Sequence, residues 1–238
     1  MPADPSVLDQ VQEAVELTEQ GKYLEAQGKY EGILCQSNLT EDEKVAIQKG
    51  YEELNMKLIF SRIETPNSFF HQVQPGESLY KIAKKYAVTI DLLRKSNSLT
   101  SDVIHPEMKL KVQKGVFSVQ VDKSDNILIL LLDEKPIKHY PVATGRDNRT
   151  PIGEFEIKNK LVNPTWFHAG TVVPPESPEN ILGTRWLGFD YQGYGIHGTT
   201  QPDSIGKQAT SGCIRMHNHD VEEIYSILPR GTKVIIAD

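Results

Sequence analysis

The feature that most constrains the fold of this chain is a change in the spacing of its apolar residues near residue 65. From Val7 to about Arg62 they recur three and four positions apart, with breaks near Gly21 and between Ser37 and Thr40, which predicts three helices. From Val116 onward the apolar residues alternate with polar ones, which predicts strands. The chain must therefore combine helices with a sheet, and we expect a multidomain α+β fold.

The first predicted domain, residues 1–65, is an acidic helical module. Thr40 followed by Glu43 forms a capping-box pattern, which predicts the start of the third helix. One pattern in this module resembles a single tetratricopeptide-type helical hairpin: Gly21, Tyr23, Glu25, Ala26 and Tyr30. Such units usually need stacked neighbours, so a packing role and a surface for an unknown protein partner both stay open.

Composition and charge exclude several functional classes. The formal net charge is −6, and residues 1–65, 66–114 and 115–238 contribute −7, +4 and −3, so no segment is basic enough to make nucleic acid the expected partner. The longest apolar run, Ile127–Leu132, has six residues, whereas a membrane-spanning helix needs about 20. The amino terminus lacks the pattern of a secretory signal, so we expect a cytoplasmic chain or one whose export segment is absent from this sequence.

The second predicted domain, residues 66–114, reads as strand, helix, helix and strand. The run His71–Ala83 (HQVQPGESLYKIA), Asn97 and the run Ile104–Leu110 (IHPEMKL) resemble a LysM domain. Glu107 departs from the family pattern, which often has glycine there, so we expect a different final turn. The resemblance implies binding of the N-acetylglucosamine-containing glycan of peptidoglycan or chitin. It assigns these residues to the groove: Pro75, Gly76, Glu77, Ser78, Leu79 and Asn97.

The third predicted domain, residues 115–238, is mainly β, with a helix near Asp220–Leu228 for which Asn218 is a candidate N-cap. Phe117–Val121 and Ile137–Ala143 alternate, and Ile127–Leu132 reads as a fully buried strand. The stretch Asn163–Pro178 reads as a long excursion, which is commonly a functional lid in compact domains.

Two cysteines differ in their surroundings. Cys35 lies on a helical face, where a free cysteine is usually a small buried apolar residue. Cys213 follows Gly212, sixteen residues after His197. A cysteine attacks as thiolate, and a neighbouring imidazole supplies both a base and a positive charge that lowers the thiol pKa. We therefore expect Cys213 as nucleophile and His197 as base, with amides near Gly212 facing a tetrahedral oxyanion.

Several motifs in this domain together resemble an L,D-transpeptidase catalytic domain of the YkuD type. They are Arg149–Phe155 (RTPIGEF), Asn163–Trp166 (NPTW), Gly183–Gly188 (GTRWLG), Ile196–Thr199 (IHGT) and Ser211–Asn218 (SGCIRMHN). The resemblance implies a sandwich-like mixed sheet and assigns the catalytic cysteine and histidine to Cys213 and His197. It also implies that the Gly198 carbonyl orients the imidazole.

The resemblance implies further roles around the cysteine. Arg215 would hold a substrate carboxylate or the loop, and Asn218 matches a family asparagine. Ser211 stands where many relatives have a second histidine, which leaves His197 as the base within the motif. Trp186 and Tyr194 are candidates for lining the substrate cleft, although buried aromatic residues are as often part of a core.

Sites of other classes fit these residues less well. Cys213, His217 and His219, with His197, form a cluster that could be imagined as a zinc site, but the spacing fits no common zinc module. A papain-like peptidase is disfavoured because its cysteine precedes its histidine. A non-catalytic wall-binding scaffold remains a rival.

The resemblance implies acyl transfer on peptidoglycan stem peptides in the cell envelope, without metal or cofactor, and inhibition by carbapenems that acylate the cysteine. The acceptor stays open: a second stem gives a crosslink between two third-position residues, water makes the enzyme an L,D-carboxypeptidase, and a lipoprotein lysine makes it an anchoring enzyme. A membrane contact is expected only through an anchor outside this sequence.

Overall fold

The helical module consists of three helices in a computed structural model that describes residues 6–168 and 170–238. They are α1 (Val7–Glu19), α2 (Tyr23–Leu34) and α3 (Glu41–Ile59). Ser6 with Asp9, and Thr40 with Glu43, form capping boxes that fix the starts of α1 and α3, the second as predicted. The apolar faces of the helices pack on one another around Ala14, Ala26, Tyr30, Ile33, Ile47 and Leu54.

The position of Cys35 corrects the sequence-based expectation. This cysteine follows the last residue of α2 and is exposed rather than buried. The apolar positions Ala26, Tyr30 and Ile33 carry the buried face of the helix. Cys35 is therefore a second accessible thiol, and any thiol chemistry on this protein must account for it.

The LysM segment has the predicted order of strand, helix, helix and strand. The elements are β1 (Ser68–Gln72), α4 (Leu79–Tyr86), α5 (Ile90–Ser96) and β2 (Lys109–Gln113), with β1 and β2 antiparallel. Ser78 caps α4 by accepting a hydrogen bond from the Lys81 amide. Glu107 adopts a left-handed φ of 72°, the conformation that favours glycine. The turn therefore keeps a glycine-type backbone despite the substitution.

The third segment is built on a single mixed sheet of eight strands. Its elements are β3 (Phe117–Asp122), β4 (Ile127–Leu132), β5 (Lys135–Pro141), β6 (Thr144–Gly145), β7 (Gly153–Val162), β8 (Trp166–His168), β9 (Thr171–Val173), β10 (Arg185–Phe189), β11 (Gly195–His197), β12 (Gln208–Thr210), β13 (Ile214–Arg215), α6 (Asn218–Ile227) and β14 (Lys233–Ala237). The strand order is β13-β11-β10-β7-β14-β3-β4-β5, while β6 pairs with β12 and β8 with β9.

The sheet differs in one respect from the sandwich-like arrangement that the resemblance implied. Strand β14 pairs with β3 on one side and with β7 on the other, which joins the two halves of the domain into one sheet. The predicted excursion after β7 contains the short β8–β9 hairpin, which ends before Pro174. Helix α6 packs against β10 and β11, at the end of the sheet that carries the motif with His197.

The three segments pack on one another. Asn55 of α3 donates to the carbonyl of Ile137 in β5 at 3.1 Å, and the adjacent Glu52 lies 2.7 Å from Nδ1 of His139. The buried Lys111 of β2 donates to the carbonyl of Ser61 at 2.9 Å and also to that of Leu58, near the end of α3. The LysM domain thus contacts the helical module, which in turn covers the edge strand of the sheet.

A second contact joins the LysM segment directly to the catalytic one. Helix α5 packs against α6, and Nζ of Lys95 donates to Oγ of Ser226 at 3.0 Å. One continuous apolar core runs through both segments. Within the described residues, the helices are all too short or too polar to cross a membrane. The boundaries at residues 65 and 114 remain predictions, because the packing is continuous across them.

Candidate active site

Cys213 sits at the end of a tight turn that leads into β13. The Thr210 hydroxyl donates to the Cys213 carbonyl at 2.6 Å and accepts from the Gly212 amide at 3.1 Å. The buried Thr150 hydroxyl donates to the Gly212 carbonyl at 2.9 Å. These hydroxyl groups fix the backbone on both sides of the cysteine, and the half-buried thiol is presented from a rigid turn.

Gly212 is required by this turn for two reasons. Its φ is +134°, which side chains other than glycine rarely adopt. A Cβ at this position would also lie 2.7 Å from Cε1 of Tyr194 and 3.1 Å from the carbonyl oxygen of Arg149. Because its amide already donates to Thr210, Gly212 shapes the turn and its own N–H is not available to an oxyanion.

His197 is brought beside this turn by the sheet. Strands β11 and β13 are parallel neighbours, with His197 directly opposite Arg215, two positions after Cys213. The positive charge of Arg215 affects the pKa of both His197 and Cys213. The charge of Arg215 thus reaches both His197 and Cys213. The pairing of the histidine with the cysteine stays a prediction.

The imidazole of His197 is buried and held on two sides. Its Nδ1 donates to the carbonyl of Gly198 at 2.6 Å, the contact that the resemblance implied. The indole of the half-buried Trp186 stacks on it, with ring centroids 5.9 Å apart. Burial lowers the pKa of His197 to about 4, assisted by the Arg215 charge and opposed by the carbonyls of Gly198 and Leu182. The contact with the Gly198 carbonyl favours the neutral tautomer that is protonated on Nδ1, in which Nε2 carries the lone pair.

The thiol of Cys213 is also neutral in this environment. Burial raises its pKa to about 11, although the Gly195 amide and the Arg215 charge act in the opposite direction. The sulfur donates to the carbonyl of Gly193 at 3.4 Å. Burial therefore opposes the thiolate that the sequence led us to expect, and it opposes the imidazolium of His197 as well.

Arg215 is placed to hold the neighbouring loop. The residue is 5% exposed, and its guanidinium donates to Oε1 of Gln201 at 3.0 Å and to Oγ of Ser204 at 2.9 Å. Its backbone exchanges hydrogen bonds with Ala143. Of the two roles predicted for Arg215, these contacts favour support of the loop.

Ser211 and Asn218 differ in their positions. Ser211 is exposed on the turn next to the cysteine. Asn218 is the first residue of α6, and the structure corrects its predicted role as N-cap: that position is His217, which makes no side-chain cap hydrogen bond. The Asn218 carboxamide instead contacts the backbone of Thr184 and Thr199.

The loop before α4 in the LysM domain is braced by a second histidine. His71 Nε2 lies 2.7 Å from a carboxylate oxygen of Glu77, which also accepts from the Gln74 amide at 2.9 Å. These hydrogen bonds, the Gln74 amide first, lower the pKa of Glu77. Pro75 and Gly76 are exposed at the tip, and Glu77 and Ser78 are half-buried. This part of the loop offers an accessible surface next to α4.

Two residues assigned to the glycan groove lie inside the domain instead. Leu79 and Asn97 are 2% and 3% exposed. The Asn97 carboxamide donates to the carbonyls of Leu93 and Lys111 and accepts from the Lys111 amide at 2.7 Å. Their side chains stabilise the domain rather than line a surface, which corrects the predicted glycan contacts.

The residues considered for a zinc site are Cys213, His197, His217 and His219. Within residues 6–168 and 170–238, no group of three or more His, Cys, Asp and Glu side chains is arranged to hold a metal ion. His217 and His219 stack on each other, with ring centroids 5.5 Å apart, and His219 is paired with Asp220.

Several residues that shape the site carried only a weak sequence signal. Thr150 and Thr210 lie within the quoted motifs or beside them, but a threonine gives no sign that its hydroxyl fixes a turn. Asn159 accepts from the indole Nε1 of Trp186 at 2.9 Å, from a neighbouring strand. A search for hydroxyl and amide side chains next to the motif glycines would have found the two threonines.

Comparison with known proteins identifies the families of two segments of the chain. The family model described as the L,D-transpeptidase catalytic domain, YkuD, matches residues 117–236, and the LysM domain model matches residues 71–113. The Bacillus licheniformis protein named "Putative L,D-transpeptidase YkuD" is 36% identical over 175 residues, which cover 70% of this chain and 97% of that relative. The Bacillus subtilis (strain 168) protein named "Putative L,D-transpeptidase YqjB" is 44% identical over 126 residues, which cover 50% and 70%.

A solved structure is similar over part of the chain. The L,D-transpeptidase from Mycobacterium tuberculosis H37Rv has a TM-score of 0.46 and 15% sequence identity, covering 56% of this chain and 63% of that one. The family models and the Bacillus relatives define the class: this chain belongs to the YkuD family of L,D-transpeptidases. It carries a LysM domain beside the catalytic one. Membership supports an acyltransferase that acts on the cell wall.

Proposed function

We propose that this protein is a peptidoglycan L,D-transpeptidase in the cell envelope that works through a thioester on Cys213. The observation that carries the proposal is the parallel pairing of β11 with β13, which puts His197 beside the segment that bears Cys213. The hydrogen bond from His197 Nδ1 to the Gly198 carbonyl leaves Nε2 as the base.

Acylation begins from the neutral pair. As Sγ of Cys213 attacks the carbonyl carbon of the third residue of a tetrapeptide stem, its proton passes to Nε2 of His197. The carbonyl oxygen becomes an oxyanion, which we expect the Cys213 amide to stabilise. The bond to D-alanine then breaks, the imidazolium gives its proton to the departing amine, and a thioester remains.

Deacylation reverses these roles. The side-chain amine of the third residue in a second stem attacks the thioester carbonyl, and His197 takes a proton from it. The carbon–sulfur bond breaks and the imidazolium returns a proton to the sulfur. The product is a crosslink between two third-position residues.

The LysM domain supplies the glycan contact in this proposal. Its accessible loop comprises Pro75, Gly76, Glu77 and Ser78. Because the domain is packed against the catalytic segment through α5 and α6, glycan bound there raises the local concentration of stem peptides at Cys213.

The test uses a Cys35→Ser background, because the exposed Cys35 would otherwise react as well. The protein is incubated with a disaccharide tetrapeptide and, separately, with a carbapenem, and intact mass is measured. We expect an adduct on Cys213, release of D-alanine and formation of a stem dimer, all absent from Cys213→Ala.

The products separate the alternatives. Tripeptide without dimer would identify an L,D-carboxypeptidase, and dimer only with a lysine-bearing lipoprotein peptide would identify an anchoring enzyme. No adduct with either compound would contradict the proposal and favour a wall-binding scaffold.

A further inference from the structure

The carboxamide of Asn218 bridges two loops next to the catalytic histidine. Its Oδ1 accepts from the Thr199 amide at 3.0 Å and from the Thr184 amide at 3.2 Å, while its Nδ2 donates to the Thr199 carbonyl at 2.9 Å. All the hydrogen bonds of this side chain therefore go to the two loops, although the residue stands at the first position of a helix.

One of these bonds reaches the peptide unit that orients His197. The Gly198 carbonyl and the Thr199 N–H belong to the same planar peptide group and point in opposite directions. The carbonyl accepts from Nδ1 of His197 at 2.6 Å, and the N–H donates to Asn218 at 3.0 Å. Because the group is planar, a side chain that holds its N–H also fixes the direction of its carbonyl.

The Asn218 carboxamide packs so closely against Gly183 and Gly198 that neither position has room for a side chain. A Cβ added to Gly183 or to Gly198 would lie 2.2 Å from Oδ1 of Asn218. Glycine at position 198 also lets the peptide group rotate if nothing holds it. Rotation would turn the carbonyl away from His197 and remove the partner that keeps the proton on Nδ1.

We infer that Asn218 is a positioning residue that selects the Nδ1–H tautomer of His197 by clamping the Gly198–Thr199 peptide. This inference rests on the proposed role of His197 as base. Asn218 does not touch the reacting atoms. It acts through one rigid peptide group, and it leaves the lone pair on Nε2, where a base for Cys213 must carry it.

The experiment compares Asn218→Ala and Asn218→Asp in the Cys35→Ser protein. Nitrogen-15 NMR of the His197 ring reports which nitrogen carries the proton, and carbapenem acylation reports the rate. We expect Nδ1–H in the parent protein and a mixture of tautomers in Asn218→Ala, with acylation slower by about 10- to 100-fold.

The aspartate variant keeps the acceptor oxygen for the Thr184 and Thr199 amides, loses the donor to the Thr199 carbonyl and adds a negative charge. We expect Asn218→Asp to retain the Nδ1–H tautomer and to recover part of the lost rate. The added charge raises the pKa of His197, so the acid limb of its acylation rate should move to higher pH. The Asn218→Asp variant also keeps the inference testable if Asn218→Ala does not fold.

Asn55 provides the matched control. It is a buried asparagine whose carboxamide joins α3 to β5, far along the sheet order from β11. Asn55→Ala should lower stability without changing the His197 tautomer or the acylation rate. The inference is overturned if folded Asn218→Ala keeps the parent tautomer and rate, if Asn55→Ala changes the tautomer equally, or if Asn218→Asp loses the Nδ1–H form. The tautomer is read without substrate, so failure of the proposed reaction would be a separate result.

Discussion

Two buried histidines in this protein are held by different partners. His71 in the LysM domain meets the Glu77 carboxylate at 2.7 Å through Nε2 and the Tyr86 hydroxyl at 3.1 Å through Nδ1. His197 in the catalytic segment gives Nδ1 to a peptide carbonyl. Both ring nitrogens of His71 make hydrogen bonds to side chains. In His197, the hydrogen bond from Nδ1 to a backbone carbonyl leaves Nε2 with the lone pair that a base requires. The partner, rather than the residue type, separates a structural histidine from a candidate base.

Replacing each histidine with glutamine gives the largest expected difference between the two residues in their effects on acylation and on stability. His197→Gln removes the base, and acylation of Cys213 by a carbapenem should slow by about 10²- to 10⁴-fold. His71→Gln should leave that rate near the parent value but lower the stability of the LysM domain by about 1–3 kcal/mol, because the Glu77 carboxylate loses its buried partner. Intact mass spectrometry and thermal unfolding measure the two effects.

Sedimentation with insoluble peptidoglycan completes this comparison. His71→Gln should bind less of it, and His197→Gln should bind as the parent does. Equal loss of acylation in both variants would mean that the two histidines do not have separate roles.

The pH dependence of acylation should follow His197. Since burial lowers its pKa to about 4 from the ordinary 6.5, the neutral base persists through mildly acidic conditions and the rate should fall only near pH 4. The same pKa shift affects stability. Between about pH 6.5 and 4, His197 is protonated in the unfolded state but stays neutral in the folded state. The free energy of unfolding should therefore decrease as pH falls through this window.

Stopped-flow acylation and urea unfolding across this range measure both quantities. The His71→Gln protein should show the same acid limb as the parent. A midpoint near pH 6.5 in the acylation rate would contradict the effect of burial on His197.

Tyr86→Phe should have the smallest effect. It removes the hydroxyl that meets Nδ1 of His71 and keeps the ring, which packs edge-on against Phe69 with centroids 5.2 Å apart. Loss of one hydrogen bond should cost about 1 kcal/mol of stability, measured by urea unfolding, with no change in acylation. Any change in the acylation rate would show that the hydrogen bonds of His71 in the LysM domain are coupled to the catalytic site.

Much of this architecture was predictable because it depends on local pattern. The buried strand Ile127–Leu132, the two helices within residues 66–114 and the capping box at Thr40 follow from apolar spacing and cap chemistry, and the structure has each of them. The motifs also predict that Cys213 pairs with His197, since they combine a nucleophile with a base. The structure places the strand of His197 beside the strand that follows Cys213.

What the sequence could not indicate depends on contacts between distant segments. The role of Asn218 requires knowing that the loops at Thr184 and Thr199 meet at the start of α6. Likewise, the thiol pKa depends on how deeply the sheet buries Cys213, which no motif encodes. Cys35 was expected to be buried because that is usual for a free cysteine, but it follows the end of its helix and is exposed.

The measurement that tests the resting state of the site most directly is the rate of Cys213 alkylation by iodoacetamide against pH, in the Cys35→Ser protein. Cys35 in a Cys213→Ala protein serves as the exposed-thiol reference. Because burial raises the pKa of Cys213 to about 11 from the ordinary 9.0, the rate should keep rising above pH 9. A plateau already reached at neutral pH would reveal a preformed thiolate–imidazolium pair and contradict the neutral site described above.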